Sequence, residues 1–175
     1  MRRKLSIAVS VGSFIAGLVA LTGLAFAQDD GGRGALAIVV SGAKVSLQQA
    51  LRVSEPQGQP ISAKFEIEES GPQLSVYTRK EGKFFEIIVD HMAGTTAKVE
   101  PITEGDDLAQ AKEQSAALDK AKMPLREAVD KVLQQEQQGA RAVSVTPSLK
   151  GGRPVAAIAI LVDDRHITRT SQPLD

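Results

Sequence analysis

Two stretches of this chain begin a helix in the same way and then run into strands separated by the same kinds of turn, which constrains the fold more than any single motif. The first reads Val45-Ser46-Leu47-Gln48-Gln49-Ala50-Leu51 and the second Met123-Pro124-Leu125-Arg126-Glu127-Ala128-Val129. An offset of 78 places Leu47 on Leu125, Ala50 on Ala128 and Leu51 on Val129. Each helix stripe is followed by a strand, a Gly-Pro or Gly-Arg-Pro turn and an apolar strand. The register slips in the loop after the helix, where insertions are tolerated. A duplicated helix-then-strands unit predicts an α+β fold, each unit a helix packed on a small antiparallel sheet.

In the first unit, residues 44–102, Ser46 can cap a helix while Gln49 reaches back to complete a capping box, and Val45 is placed to staple onto Ala50. Leu47, Ala50, Leu51 and Ser54 share one helical face, and Pro56 and Gly58 end the helix. Ile61, Ala63, Phe65 and Ile67 alternate with Ser62, Lys64, Glu66 and Glu68, the pattern of a strand with one wet face. Gly71-Pro72 reads as a turn, the residues around Leu74 and Val76 as a second strand, Lys80-Glu81-Gly82-Lys83 as a hairpin turn, and Phe84 to Val89 as a third strand.

Residues 28–43 read as an N-terminal arm: a mobile, glycine-rich lead-in up to Gly34, then an apolar run from Ala35 to Val40 that is either an extra strand or a packing arm. Residues 103–122 carry a thin apolar stripe and predict a connector helix. In the second unit, residues 123–175, Pro124 opens a helix whose stripe is Leu125, Ala128, Val129, Val132 and Leu133, closed by Gly139. A short strand from Ala142 to Val145 and a turn at Lys150-Gly151-Gly152-Arg153 follow. Val155 to Val162 is then a strand apolar on both faces, which asks for a central place or for cover by the connector. This unit is degenerate: after Asp163-Asp164 it runs into His166-Ile167-Thr168 and a polar tail, with no counterpart to Asp90-His91-Met92-Ala93-Gly94.

Arg2, Arg3 and Lys4, an uncharged apolar stretch from Ile7 to Leu24, and Ala25-Phe26-Ala27 form a secretory signal peptide pattern with cleavage near Ala27. The alternative is an uncut membrane anchor, since the stretch is long enough to span a bilayer. After cleavage the expected setting is periplasmic or secreted, and a membrane is involved only through the leader if it is not cut. Cleavage would leave 21 acidic side chains against 18 basic ones, a mildly acidic chain with no electrostatic footprint for nucleic acid. With no cysteine, stability must come from packing, and with no Trp and one Tyr the core must be mostly Val, Ile, Leu and Ala.

Val45 to Leu51, Gly71-Pro72, Tyr77, Gly82-Lys83 and Val89-Asp90 with Gly94 stand in the order in which the PepSY domain family carries its motifs, and the chain resembles that family over residues 44 to about 100 and, in part, 123 to 168. The resemblance implies a helix packed across an antiparallel sheet in an exported or membrane-anchored bacterial protein. It also implies a non-enzymatic, protein-binding role, with peptidase inhibition suggested by relatives in peptidase propeptides. It supplies no catalytic residues.

The residues themselves also exclude the common hydrolases: there is no His-Glu-x-x-His, no Gly-x-Ser-x-Gly and no cysteine nucleophile, and no cofactor is called for. Gly32-Arg33-Gly34-Ala35-Leu36-Ala37 matches a loose dinucleotide fingerprint but does not follow a strand. His91 and His166, beside Asp90 and Asp163-Asp164, would form a metal site only if the two units brought them together; otherwise they are polar strand ends in water. Phe84, Glu86 and Ile88 share one face of the third strand, and with the preceding hairpin they are the candidate partner-binding surface, offering a sheet edge to an extended peptide. The competing reading is that the second unit or the connector covers Phe84 and Ile88. Two function classes follow: a module binding a peptidase or envelope protein, or a sensor binding a small ligand or metal between the units.

Overall fold

The computed structural model describes residues 30–175; the leader and its cleavage site lie outside the described residues. Among the described residues the fold is α+β, with four α-helices on a single seven-stranded antiparallel sheet. The helices are α1 (Asp30–Gly42), α2 (Leu47–Ser54), α3 (Gly105–Leu118) and α4 (Leu125–Leu133). The strands are β1 (Gln59–Glu68), β2 (Gly71–Lys80), β3 (Lys83–Val89), β4 (Thr96–Ile102), β5 (Arg141–Lys150), β6 (Arg153–Val162) and β7 (His166–Pro173), in the spatial order β4-β3-β2-β1-β5-β6-β7. Among the described residues no single helix is long and apolar enough to cross a membrane.

The two halves meet at the middle of the sheet, where β1 and β5 pair antiparallel at Ala63↔Val145 and Lys64↔Ser144. Both strands bulge at matching places, between Pro60 and Ser62 and between Ala142 and Ser144. Phe65 pairs with Leu74 as Pro147 pairs with Ala156, and Leu74 with Val89 as Ala156 with Gln172. The strand positions of the two halves are thus related by 82 residues in β1/β5 and β2/β6 and by 83 in β3/β7, while the helices keep the offset of 78. Ala63 pairs with its own counterpart, which marks a local two-fold axis through the sheet.

The helix stripes form as their spacing predicts. Ser46 caps α2, its side chain accepting from the Gln49 amide at 3.2 Å while the Gln49 side chain accepts from the Ser46 amide at 2.7 Å. Leu47, Ala50, Leu51 and Ser54 are buried, as are Leu125, Ala128, Val129 and Val132. α2 and α4 touch side by side, with Gln48 Nε2 donating to Asp130 Oδ1 at 3.1 Å, and cover one face of the sheet. On that face Ile61, Ala63, Leu74, Val76, Ile87, Val145, Ile158 and Ile160 are all but fully buried. The other face is crossed by α3, tied down by Ser62 Oγ donating to Gln114 Oε1 at 2.7 Å and by Arg79 donating to Ser115 and Asp119.

Several local expectations are corrected. Asp30 to Gly42 form a helix, α1, where a glycine-rich lead-in was expected up to Gly34, and of the two readings of Ala35 to Val40 the packing arm holds and the strand does not, because Ala37 and Val40 fall on one buried helical face. α1 is the partner of α3 at the offset of 78, Val40 standing with Leu118 and Ala37 with Ser115, all four buried. Both halves therefore begin with a helix pair. The same lock holds each pair: the amides of Lys44 and Val45 both donate to the His91 carbonyl (3.0 and 3.1 Å), and those of Lys122 and Met123, 78 residues on, both donate to the Leu174 carbonyl (2.7 and 3.0 Å). The polar tail is a strand, β7, and Leu174 beyond it does the work of His91.

α4 ends at Leu133, well before Gly139, which instead takes a positive φ in the loop to β5. The first hairpin turns at Glu69-Ser70, so that Gly71 already opens β2. β4 was not foreseen, since its exposed, charge-bearing sequence has no apolar alternation. The face carrying Ser62 is not wet throughout, because α3 buries Ser62, whereas Ile67 near the strand end is 45% exposed. β6 lies inside the sheet between β5 and β7, as its apolar sequence requires.

Candidate functional site

The third strand does not present an edge. β2 pairs with β3 along one side and β4 along the other, so both rows of its backbone groups are occupied. The chain supplies that cover itself, through a strand whose sequence does not announce it. Of the three residues on the candidate face, Phe84 and Glu86 are buried and Ile88 is half-buried.

What the sheet does assemble there is a polar network reaching across three strands. Register places Tyr77 opposite Glu86 and Gln73 opposite Glu66. The Tyr77 hydroxyl donates to Glu86 Oε1 at 3.2 Å, Gln73 Nε2 donates to the Ser75 hydroxyl at 2.8 Å, and Ser75 donates to Glu66 Oε1 at 2.9 Å. Lys64 forms an ion pair with Glu66 and holds its ammonium 5.6 Å from the centre of the Tyr77 ring, within cation–π range. Burial raises the Glu86 carboxyl above its usual range against the opposing pull of the neighbouring Ser75 and Tyr77 hydroxyls, and the Glu66 charge adds to the rise. Burial also raises the Tyr77 phenol, helped by the charges of Glu86 and Glu66, and Glu68 is raised by burial and then by repulsion from Glu66. Such a cluster can hold a proton or accept hydrogen bonds.

The histidines are not brought together. His91 follows β3 and His166 opens β7, five strand spacings apart, about 24 Å along the sheet. Among the described residues no group of three or more His, Cys, Asp or Glu could hold a metal ion. The segment after β3 has instead a structural task. Asp90 Oδ1 accepts from the amides of Met92 and Ala93 at 2.8 and 3.0 Å, which holds its carboxyl below the usual range. Gly94 then turns the chain at φ +73, where a Cβ would come within 3.2 Å of Val45.

The second feature is an open cleft of about 520 Å³ between the halves, where the end of α2 and the start of β1 face the segment joining α3 to α4. Leu51, Pro60, Leu118, Met123 and Leu125 give it apolar walls, and Glu55, Gln59, Lys122 and Arg126 its polar groups. Gly58, at φ +145, brings the chain so close to β2 that a Cβ would lie 2.6 Å from the Arg79 carbonyl. Neither the cleft nor the Tyr77 network was legible beforehand, because both depend on strand register and on the packing of α3. Comparison of the chain with protein families, with curated proteins and with solved structures finds no match.

Proposed function

We propose that this is an exported, non-enzymatic protein-binding module built from two PepSY-like units, acting on a peptidase or another envelope protein. The observation that carries the reading is the β7 edge. Its residues from Thr168 to Ser171 are exposed, it pairs with β6 in unbroken register from His166 to Pro173 with no bulge, and its only guards are Arg169 in mid-strand and Pro173 at its last position. The opposite edge, β4, is guarded by Lys98, Glu100 and Pro101 and by a register shift against β3. An edge so lightly guarded, straight and with its proline at the strand end, is a template for an extended segment of a partner, whose backbone would add an eighth strand. The peptidase-restraining part of the proposal rests on the family resemblance alone.

The test is affinity capture with residues 28–175 from periplasmic extract, followed by an activity assay on any peptidase recovered. A recovered peptidase slowed by the protein, with capture weakened at least about tenfold by Thr170→Lys, is the expected result. Capture unaffected by that substitution would remove β7 as the docking edge. The second reading, a small-ligand sensor, is favoured by one observation, the cleft between the halves. Purification of the protein with a bound small molecule would establish it.

A further inference from the structure

The internal repeat supplies a template for the cleft. At the matching place in the second half, Arg141 reaches from the start of β5 to the turn between α1 and α2 and donates from Nη2 to the carbonyls of Ala43 (2.7 Å) and Val45 (3.4 Å). The residues standing 78 positions on from Ala43 and Val45 are Ala121 and Met123, and both line the cleft. Their backbone is held as in the other half, by the twin amide bonds of Lys122 and Met123 to Leu174. Among the described residues no protein group donates to the carbonyl of Ala121 or of Met123. The strand position that supplies Arg141 in one half is Gln59 in the other, and Gln59 is turned to Arg79, whose Nε donates to its Oε1 at 2.9 Å.

We propose that the cleft receives an arginine side chain of a partner protein, whose guanidinium takes the place that Arg141 takes in the other half. The equivalent carbonyls of Ala43 and Val45 are reached together by one guanidinium nitrogen, so this pair suits the fork of N–H donors, and the apolar walls suit the methylene stem. Lys122 stands where Lys44 stands, and Lys44 does not prevent Arg141 from binding. Arg126, in the place of Gln48, adds a cation to the lining, and Glu55 adds a carboxylate that a guanidinium can pair with. The inference rests on the protein-binding reading and names the chemistry of the partner's contact.

The experiment is a titration of the protein with the peptide acetyl-Ala-Arg-Ala-amide, followed by amide chemical shifts, with the citrulline peptide as the uncharged isostere. Saturable shifts at Ala121 to Leu125, at least about tenfold weaker for citrulline, are expected. They should vanish in Gln59→Arg, which supplies the guanidinium from within the chain. Absence of saturable shifts, equal response to citrulline, or an undiminished response in a folded Gln59→Arg protein would each overturn the proposal. Partner capture that survives Gln59→Arg would overturn the arginine site and leave the protein-binding reading standing. A positive titration beside an empty capture would do the reverse.

Discussion

The first and second halves of this chain share a backbone plan and differ in what they mount on it. Where the first half carries Glu66, Gln73, Ser75, Tyr77 and Glu86 across three strands, the second carries Ser148, Val155, Ala157, Ala159 and Arg169 at the positions that register makes equivalent. The hydrogen-bonded network thus belongs to one half only. The reverse holds at the junctions between halves: Arg141 closes one, and the other stays open as the cleft. A backbone plan repeated with different side chains leaves each half able to stabilise the common sheet while freeing one surface from that duty, and the difference between halves is the best guide to which surface is free.

The largest test of the comparison concerns whether the halves fold as one. Leu47 and Leu125 are equivalent and buried beneath the same pair of helices, so Leu47→Ala and Leu125→Ala should each cost about 2–5 kcal/mol. Urea unfolding should remain a single transition in both variants, because β1 and β5 join the halves in one sheet. Two resolved transitions would break the picture of a shared core.

A smaller and opposite effect is expected at Thr78. Among the described residues its buried hydroxyl has no hydrogen-bond partner, and the equivalent residue is the fully buried Ile160. Thr78→Val should stabilise the protein by about 1 kcal/mol by removing an unsatisfied polar group at nearly constant shape, measured as a raised denaturation midpoint at unchanged slope. A loss of stability would show that the hydroxyl has a partner in solution.

Helix capping separates the halves by less. Ser46→Ala should cost about 1 kcal/mol through loss of the capping box on α2. Pro124 occupies the same place before α4 without a side-chain cap, and Glu127 stands where Gln49 does. Pro124→Ser would complete a Ser-x-x-Glu box, with an expected gain of a few tenths of a kcal/mol in the same unfolding assay.

The last expectation is a slope. Glu86 has its folded-state pKa raised, so its contribution is fully present below the ordinary value of 4.5 and is lost as the pH rises through the higher folded value. Stability of the protein should therefore decline over that interval more steeply than in Glu86→Gln, whose amide keeps an acceptor for Tyr77 but cannot ionise. Parallel pH profiles of the melting temperature would show that the carboxyl is not buried as described.

Much of the framework could be read in advance. Capping at Ser46, the stripes Leu47-Ala50-Leu51 and Leu125-Ala128-Val129, the alternation around Ala63 and the hairpin at Glu81-Gly82 are local signals, set by backbone geometry and the period of burial within a few residues. β4 and β7 escaped notice for a physical reason: as exposed edges they bury little, so burial imprints little pattern on them. The edge role expected of Phe84, Glu86 and Ile88 failed for the same reason, since the strand that covers β3 was the one left unread.

By itself the sequence determined the α+β class, the helix starts, most of the strands and the repeated order of elements, because each follows from short-range periodicity, capping and turn chemistry. Only the tertiary structure decided that the two halves share one sheet through Ala63 and Val145 and that Tyr77 meets Glu86. It alone decided that Arg141 fills one junction while its counterpart is left open. Those outcomes depend on pairings between residues far apart in the chain, where the register of a bulged strand and the path of a covering helix settle which side chains meet.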